Sequence, residues 1–137
     1  MSLFVDTSVW SLALRRDSPP AVREVHALAR ALETGEEIVT TGLVLQELLQ
    51  GFSGPKNKQQ VLDRFAAIPL IPPDRLDHVE AAALFNRCRR AGFQIGVIDA
   101  LLVQLCLRWN LTMLTTDSDF RRIAKYCDLK LWGDASF

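Results

Sequence analysis

The sequence predicts an α/β protein in which helices flank a parallel sheet. Short apolar runs alternate along the chain with longer segments whose apolar residues recur at helical spacing, and this alternation is typical of a sheet covered by helices. The chain has 137 residues, of which 49% are hydrophobic and 23% are charged. That is enough apolar material for the core of one domain, so we expect a single domain over residues 1–137.

Turn residues divide the chain into its predicted elements. The predicted strands are residues 3–5, 37–40, 70–71, 111–115 and, as a short edge strand, 129–132. The predicted helices begin near residue 7 and then cover residues 20–34, a segment from 42, and residues 56–67, 72–91, 97–109 and 118–127. Pro20 suits the first turn of its helix, and Gly35 and Gly92 suit the ends of theirs.

Charge and cysteine content narrow the class of protein. Sixteen Lys and Arg balance sixteen Asp and Glu, so net charge favours neither a nucleic acid nor a membrane surface as partner. The three cysteines have no C-x-x-C spacing and fall within helical patterns, which indicates free thiols in a reducing cytoplasm. No signal-peptide pattern opens the chain, and its most apolar segment, residues 95–107, is shorter than the roughly 20 residues of a membrane helix.

Acidic residues stand where the predicted strands lead into helices. Asp6 follows the first strand, and Asp117 and Asp119 follow the fourth. Glu47 lies in the helix after the second strand, and Asp99 lies in the first turn of its helix. An open parallel sheet binds its ligands in the crevice at the carboxyl ends of its strands. A single pocket can therefore hold all five acids.

Asp99 is the most informative of these acids. Its helix is apolar nearly all round, with only Gln104 and Arg108 as further polar residues, so we expect the helix to be buried. An unpaired carboxylate on a buried helix is costly and requires a cation or several hydrogen bonds. The alternative is a capping acid, which binds free backbone amides and suits the helix dipole.

Ordinary structural roles compete for the other acids as well. Asp6, Asp117 and Asp119 each stand at the junction with a following helix, where capping by the side chain is routine. Glu47 lies at the border of its helix's apolar stripe, where a solvated side chain fits the pattern equally well. Capping or solvation accounts for each acid singly, whereas the ordered combination of all five favours a common site.

Four dispersed segments contain these acids. They are Phe-Val-Asp-Thr-Ser-Val-Trp at 4–10, Gln-Glu-Leu-Leu-Gln-Gly at 46–51, Ile-Asp-Ala-Leu-Leu at 98–102 and Leu-Thr-Thr-Asp-Ser-Asp-Phe at 114–120. In order and spacing they resemble the PIN-domain family, and within it the VapC toxins most closely. The resemblance covers essentially the whole chain, and no acid of the family pattern is missing.

The resemblance implies a fold, an activity and partners. The fold is a three-layer α/β/α sandwich with a parallel sheet of four to five strands. The activity is a ribonuclease that needs Mg²⁺ or Mn²⁺, and the role is that of a toxin in a type II toxin–antitoxin pair, neutralised by a VapB-like antitoxin. Such toxins are commonly homodimers, and apolar residues near loops, including Phe52, Phe93 and Phe137, agree with self-association.

The resemblance also implies roles for the acids. Asp6 and Asp99 match the principal metal-binding acids, and Glu47 and Asp117 match the other members of the catalytic quartet. Asp119 matches an additional acid that some relatives lack. We therefore expect Asp6, Glu47, Asp99 and Asp117 to be catalytic, with Asp6, Asp99, Asp117 and Asp119 as metal ligands.

The residue types agree with this chemistry independently of the resemblance. Mg²⁺ and similar hard cations prefer carboxylate oxygen and retain waters that can become nucleophiles. His26 and His78 are isolated in the sequence, so a zinc site is not indicated. Glu47 is the expected residue to orient or deprotonate the attacking water. Candidate phosphate contacts are the paired or clustered basic residues Arg15, Arg16, Lys56, Lys58, Arg87, Arg89, Arg90, Arg121, Arg122 and Lys125.

Two other classes of function remain open from the sequence. In a phosphoaspartate switch or phosphatase, Asp6 would accept phosphate, but the common phosphatase pattern has a second Asp where this chain has Ser8. A catalytically inactive PIN-fold module that binds RNA or protein is the other, because fold alone never establishes catalysis. Covalent phosphate on Asp6, or RNA binding without cleavage, would distinguish these two classes from a nuclease.

Overall fold

A computed structural model describes residues 2–15 and 21–134. In this part of the chain the strands are β1 (Leu3–Val5), β2 (Ile38–Val39), β3 (Thr112–Leu114) and β4 (Lys130–Leu131). The helices are α1 (Thr7–Ala13), α2 (Arg23–Thr34), α3 (Gly42–Gly51), α4 (Pro55–Phe65), α5 (Arg75–Arg90), α6 (Val97–Arg108) and α7 (Ser118–Ile123). Three residues named in the sequence predictions, Arg16, Pro20 and Phe137, lie outside the described residues.

The strands form one parallel sheet in the order β2-β1-β3-β4. Strand β1 lies in the middle, and its Val5 pairs with Leu114 of β3. Consecutive residues of a strand point to opposite faces of the sheet. Because Leu3, Phe4 and Val5 are all at most 2% exposed, helices cover both faces. The predicted α/β/α architecture with a parallel sheet is confirmed, with four strands in the described residues.

The predicted strand at residues 70–71 was wrong in extent. Only Leu70 makes a bridge, a parallel one to Thr40. The Thr40 N–H donates to the Pro69 carbonyl at 3.0 Å, and the Ile71 N–H donates to the Thr40 carbonyl at 2.7 Å. Proline has no N–H to donate to a ladder. Pairing therefore stops where Pro72 follows, and the segment remains a single bridge.

Several helix ends also differ from the sequence prediction. Helix α5 begins at Arg75 and not at Pro72, because Asp74 caps it and forms a reciprocal capping box with Asp77. Helix α7 ends at Ile123, and the next residues continue only as turns, with the Lys125 N–H donating to the Arg122 carbonyl at 3.1 Å. The first strand and the apolar helix α6 lie at or within one residue of their predicted positions.

A buried acid joins α5 to α6. Asp77 is fully buried and accepts hydrogen bonds from Gln104 at 3.3 Å and Arg108 at 2.6 Å. Burial alone raises the pKa of Asp77, but hydrogen bonds from the Asp74 backbone and from α6, with the charge of Arg108, hold it below its ordinary value. This network fixes the packing of α6, the helix that carries Asp99.

The helices described above are shorter than the roughly 20 residues that a membrane-spanning helix needs. Among residues 2–15 and 21–134, none is both long enough and apolar enough to cross a membrane. The longest of them, α5, has 16 residues and carries charged side chains throughout.

Candidate active site

The centre of the sheet places two of the acids side by side. Asp6 directly follows β1, and Thr115 directly follows the neighbouring strand β3. The Asp6 N–H donates to the Leu114 carbonyl at 2.9 Å, which continues the ladder one step beyond the paired strands. Asp117 follows Thr115 after one further residue. The parallel order therefore brings Asp6 and Asp117 to the same edge of the sheet.

Asp6 is buried and hydrogen-bonded, but it does not cap a helix. It is 6% exposed and stands at the N-cap position of α1 without a capping hydrogen bond from its side chain. Its Oδ2 instead accepts hydrogen bonds from the hydroxyls of Ser8 and Thr115, each at 2.8 Å. Within the described residues, Oδ1 accepts no hydrogen bond. The capping interpretation is therefore wrong for the side chain of Asp6.

Asp99 faces the other acids from the first turn of α6. Gly96 is the N-cap residue of this helix, and no side chain caps it, so Asp99 is not a capping acid. Burial and the negative charges of four other side chains together raise the pKa of Asp99 to about 6. Burial is the largest cause, followed in decreasing order by the charges of Asp6, Asp117, Glu47 and Asp119. The other four predicted acids thus lie near enough to Asp99 to raise its pKa.

Glu47 reaches the same region from the middle of α3. The residue as a whole is exposed, yet partial burial of the carboxylate and the charge of Asp6 raise its pKa above the ordinary value. The Thr7 hydroxyl, which lies nearby without a formal hydrogen-bond partner in the described residues, opposes this rise. Glu47 is therefore coupled to Asp6 and is not simply a solvated residue of the opposite helix face.

Asp117 does serve as a helix cap. It is the N-cap residue of α7, and its Oδ1 accepts a hydrogen bond from the Asp119 N–H at 2.9 Å. Asp119 occupies the first turn of the same helix, and both residues are exposed. The capping interpretation is thus confirmed for Asp117, and because one carboxylate oxygen suffices for the cap, its Oδ2 remains available to a ligand.

The acids fit a hard cation by chemistry, although their present arrangement is open. Carboxylate oxygens are the ligands that Mg²⁺ and Mn²⁺ prefer. Across residues 2–15 and 21–134, no three His, Cys, Asp or Glu side chains converge tightly enough to form a ready-made site. The mutual repulsion that, together with burial, raises the pKa of Asp99 is what a bound cation would offset. Rotation of exposed carboxylates toward Asp6 would bring the ligands together.

Histidine does not contribute to this site. His26 lines a cavity with Arg23 and Trp132, and His78 lines a cavity of about 400 Å³ with Leu43 and Phe85. Neither histidine is among the groups that influence the pKa of Asp99 or Glu47. Among the described residues, the charged side chains that raise the pKa of Asp99 are all carboxylates.

Several residues predicted to contact RNA have intramolecular partners. The guanidinium of Arg87 donates to the Tyr126 carbonyl at 2.9 Å, and Arg121 pairs with Asp134 at 2.5 Å. The Arg122 guanidinium lies 3.8 Å from the centre of the Phe93 ring. Phe93 is 5% exposed, so it belongs to the core and was wrongly expected to contribute to an apolar surface for self-association.

Comparison with known proteins places the chain in a family. Residues 3–126 match the PIN domain. The chain belongs to the PIN-domain family. Ribonuclease VapC23 of Mycobacterium tuberculosis is 30% identical to it over 121 residues, which are 83% of this chain and 90% of that protein. Ribonuclease VapC11 of the same species is 29% identical over 131 residues, 93% of this chain and 96% of that protein.

Solved structures confirm the PIN fold. The VapBC2 complex of Rickettsia felis, bound to a DNA fragment from its promoter, contains a chain that superposes with a TM-score of 0.73. The two chains are 21% identical, and the alignment covers 96% of this chain and 97% of that chain. The family predicted from the four acid-containing segments is therefore confirmed, as is the similarity to VapC proteins.

Two hydroxyls at the site were not predicted from the sequence. The sequence singled out Ser8 only as the residue at the place of the second Asp of the phosphatase pattern, and Thr115 only as the end of a predicted strand. Only their positions in the sequence point to the site. Ser8 comes two residues after Asp6, and Thr115 comes two residues before Asp117. Whether a hydroxyl at such a position faces a carboxylate depends on how two strands far apart in the chain are paired.

Proposed function

We propose that this PIN-domain protein is a divalent-metal-dependent endoribonuclease, the toxin of a VapBC-type toxin–antitoxin pair. The observation that carries the proposal is the concentration of five carboxylates at the carboxyl edge of the central strands, where burial and the charges of the other four raise the pKa of Asp99 to about 6. A set of acids that repel one another is stabilised by a cation bound among them. The names of the relatives VapC23 and VapC11, both ribonucleases, support RNA as the substrate class.

The proposed roles follow from the position of each side chain. Mg²⁺ or Mn²⁺ would be held by Oδ1 of Asp6, by Asp99 and by Oδ2 of Asp117. Asp119 would contribute from the first turn of α7. When bound, the cation would neutralise charge on the scissile phosphate and lower the pKa of a water bound to it. Glu47 would orient the attacking water and accept its proton, and its raised pKa, which makes it a better proton acceptor than an ordinary Glu, supports this role.

The proposed partners follow from the comparisons. The Rickettsia felis neighbour is a VapBC complex, which supports a VapB-like antitoxin as the protein partner. We also propose a homodimer, because apolar side chains such as Leu76, Val79 and Val97 are 57–73% exposed. The three free cysteines fit a reducing cytoplasm, and we propose a single PIN-like domain over residues 1–137 there.

Cleavage of a mixed RNA pool tests the proposal. Purified protein is incubated with Mn²⁺ or Mg²⁺, beside an EDTA control, Asp99→Asn, and Asp128→Asn as an exposed acid on the far side of the sheet. We expect cleavage by the parent and Asp128→Asn, and none by Asp99→Asn or with EDTA. Equal cleavage by Asp99→Asn would place the nuclease activity elsewhere, and RNA binding without cleavage would favour the inactive module.

A further inference from the structure

Two hydroxyls converge on a single oxygen of Asp6. Ser8 Oγ and Thr115 Oγ1 each donate to Oδ2 at 2.8 Å, and the two hydroxyl oxygens are 3.3 Å apart. A hydroxyl has one hydrogen, so both are committed to the carboxylate and neither donates to the other. Oδ1 receives no donor from the described residues. The hydroxyl pair thus divides the carboxylate into one bound oxygen and one free oxygen.

Backbone groups hold the two hydroxyls in this orientation. The Thr116 N–H donates to Ser8 Oγ at 3.1 Å, and the Asp117 N–H donates to Thr115 Oγ1 at 3.0 Å. Each hydroxyl therefore accepts from an amide of the β3–α7 loop and donates to Asp6. Hydrogen bonds arranged in such chains polarise and strengthen one another. The side chain of Asp6 is in this way fixed by the backbone of the β3–α7 loop.

The same arrangement connects Asp6 to Asp117. Thr115 binds the Asp6 carboxylate with its hydroxyl hydrogen and the Asp117 amide with its hydroxyl oxygen. The Asp117 side chain is in turn held by the Asp119 N–H at 2.9 Å. One threonine thus sets the orientation of an acid on β1 and the loop conformation of an acid before α7.

We propose that Ser8 and Thr115 are positioning residues that hold Asp6 so that its Oδ1 is presented to the divalent cation. This inference rests on the proposed function, because it takes Asp6 as a metal ligand. Neither hydroxyl touches the substrate or the cation in this account. Both act through Asp6, and Thr115 acts additionally through the loop that carries Asp117.

Metal affinity is the readout that separates positioning from general stability. Thr115→Val removes the hydroxyl and keeps the branched shape, and Ser8→Ala removes the other hydroxyl. Loss of a residue that orients a metal ligand typically weakens metal affinity about 10–100-fold. We expect each variant to bind Mn²⁺ at least about tenfold more weakly in calorimetric titration, with kcat for RNA cleavage falling and KM for RNA within about twofold of the parent. Thr115→Ser, which keeps a hydroxyl, should retain binding within a few-fold of the parent.

A matched control lies on the same strand. Thr112→Val makes the same substitution three residues earlier in β3, where the threonine side chain has no hydrogen bond within the described residues. This variant should bind Mn²⁺ with parental affinity. Melting temperatures in EDTA identify any variant that is misfolded, and Ser8→Ala carries the test if Thr115→Val does not fold.

Two results would overturn the inference, and they have different meanings. If Asp6→Asn loses Mn²⁺ binding while folded Thr115→Val and Ser8→Ala retain parental affinity, Asp6 is a ligand that needs no positioning, and the proposed function stands. If Asp6→Asn itself binds Mn²⁺ as the parent does, the metal site of the proposed function is misplaced and the positioning role falls with it.

Discussion

Asp99→Asn should stabilise the metal-free protein at neutral pH although it abolishes the proposed activity. Asp99 carries a negative charge among four other acids, and its pKa is raised to about 6 by burial and by their charges. Asparagine has nearly the same shape and no charge, so the substitution removes the repulsion without creating a cavity. The gain in stability should be present only at pH values at which Asp99 of the parent is ionised.

The sign and size of the change in stability follow from the raised pKa of Asp99. The ordinary value for Asp is 3.8, and the folded value is about 6, so the folded state binds the proton more tightly than the unfolded state. The stability of the parent therefore falls as pH rises from about 4 to about 6, and the loss is complete above that range. One pKa unit corresponds to about 1.4 kcal/mol, which gives an upper limit of about 3 kcal/mol. Partial exposure of the carboxylate reduces this to about 1–2 kcal/mol through solvent screening.

Thermal unfolding in EDTA measures this effect. For a domain of this size, about 1–2 kcal/mol corresponds to a rise in Tm of about 3–10 °C. We expect Asp99→Asn to melt above the parent by this amount at pH 7.5 and to approach it near pH 4. Asp128→Asn, which neutralises an exposed acid elsewhere, should follow the parent at both pH values.

Two results would refute this reasoning. An equal or lower Tm for Asp99→Asn at pH 7.5 would mean that the carboxylate has hydrogen bonds that outweigh the repulsion. A gain of the same size at pH 4 and pH 7.5 would indicate a packing effect and not a charge effect.

Three further predictions concern the metal, the helix pair and the core. Mn²⁺ added to chelated protein should raise the stability by about 2.7 kcal/mol at a hundred times Kd, and no shift in Tm would count against the acid cluster. Asp77→Ala should cost about 2–4 kcal/mol in urea unfolding, because it removes the hydrogen bond from the Asp74 N–H in the capping box and leaves Arg108 without its buried partner. Exposed Asp63→Ala should change little. Phe120→Ala should cost about 3–5 kcal/mol in the same assay, since Phe120 is 1% exposed, and a loss below 1 kcal/mol would place it outside the core.

The features that were predictable from the sequence are those with a local or periodic cause. The apolar run at residues 3–5 and the apolar helix α6 were predicted because the run is fully buried and half of the helix is buried, and burial leaves a nearly continuous hydrophobic pattern. The site was predictable to the level of its acids, because the carboxyl ends of parallel strands meet at one edge. The four acid-containing segments were enough to predict the PIN family.

The features that were not predictable depend on contacts between distant parts of the chain. Asp77 reads as a surface acid on α5, and its burial follows from Gln104 and Arg108, which lie 27 and 31 residues away. Thr115 contacts Asp6 across 109 residues, so its role appears only when β1 and β3 are paired. At residues 70–71 the local pattern was misleading. Two adjacent apolar residues predicted a strand, but the neighbouring prolines limit the pairing to one bridge.

The most direct test of the central claim is an anomalous difference map from a crystal of the protein soaked in Mn²⁺. We expect a peak at the carboxyl edge of the sheet, with carboxylate oxygens of Asp6 and Asp99 about 2 Å from the ion. The peak should disappear in crystals of Asp99→Asn. A map with no peak near Asp6, or a peak on other residues only, would contradict a metal site formed by these acids.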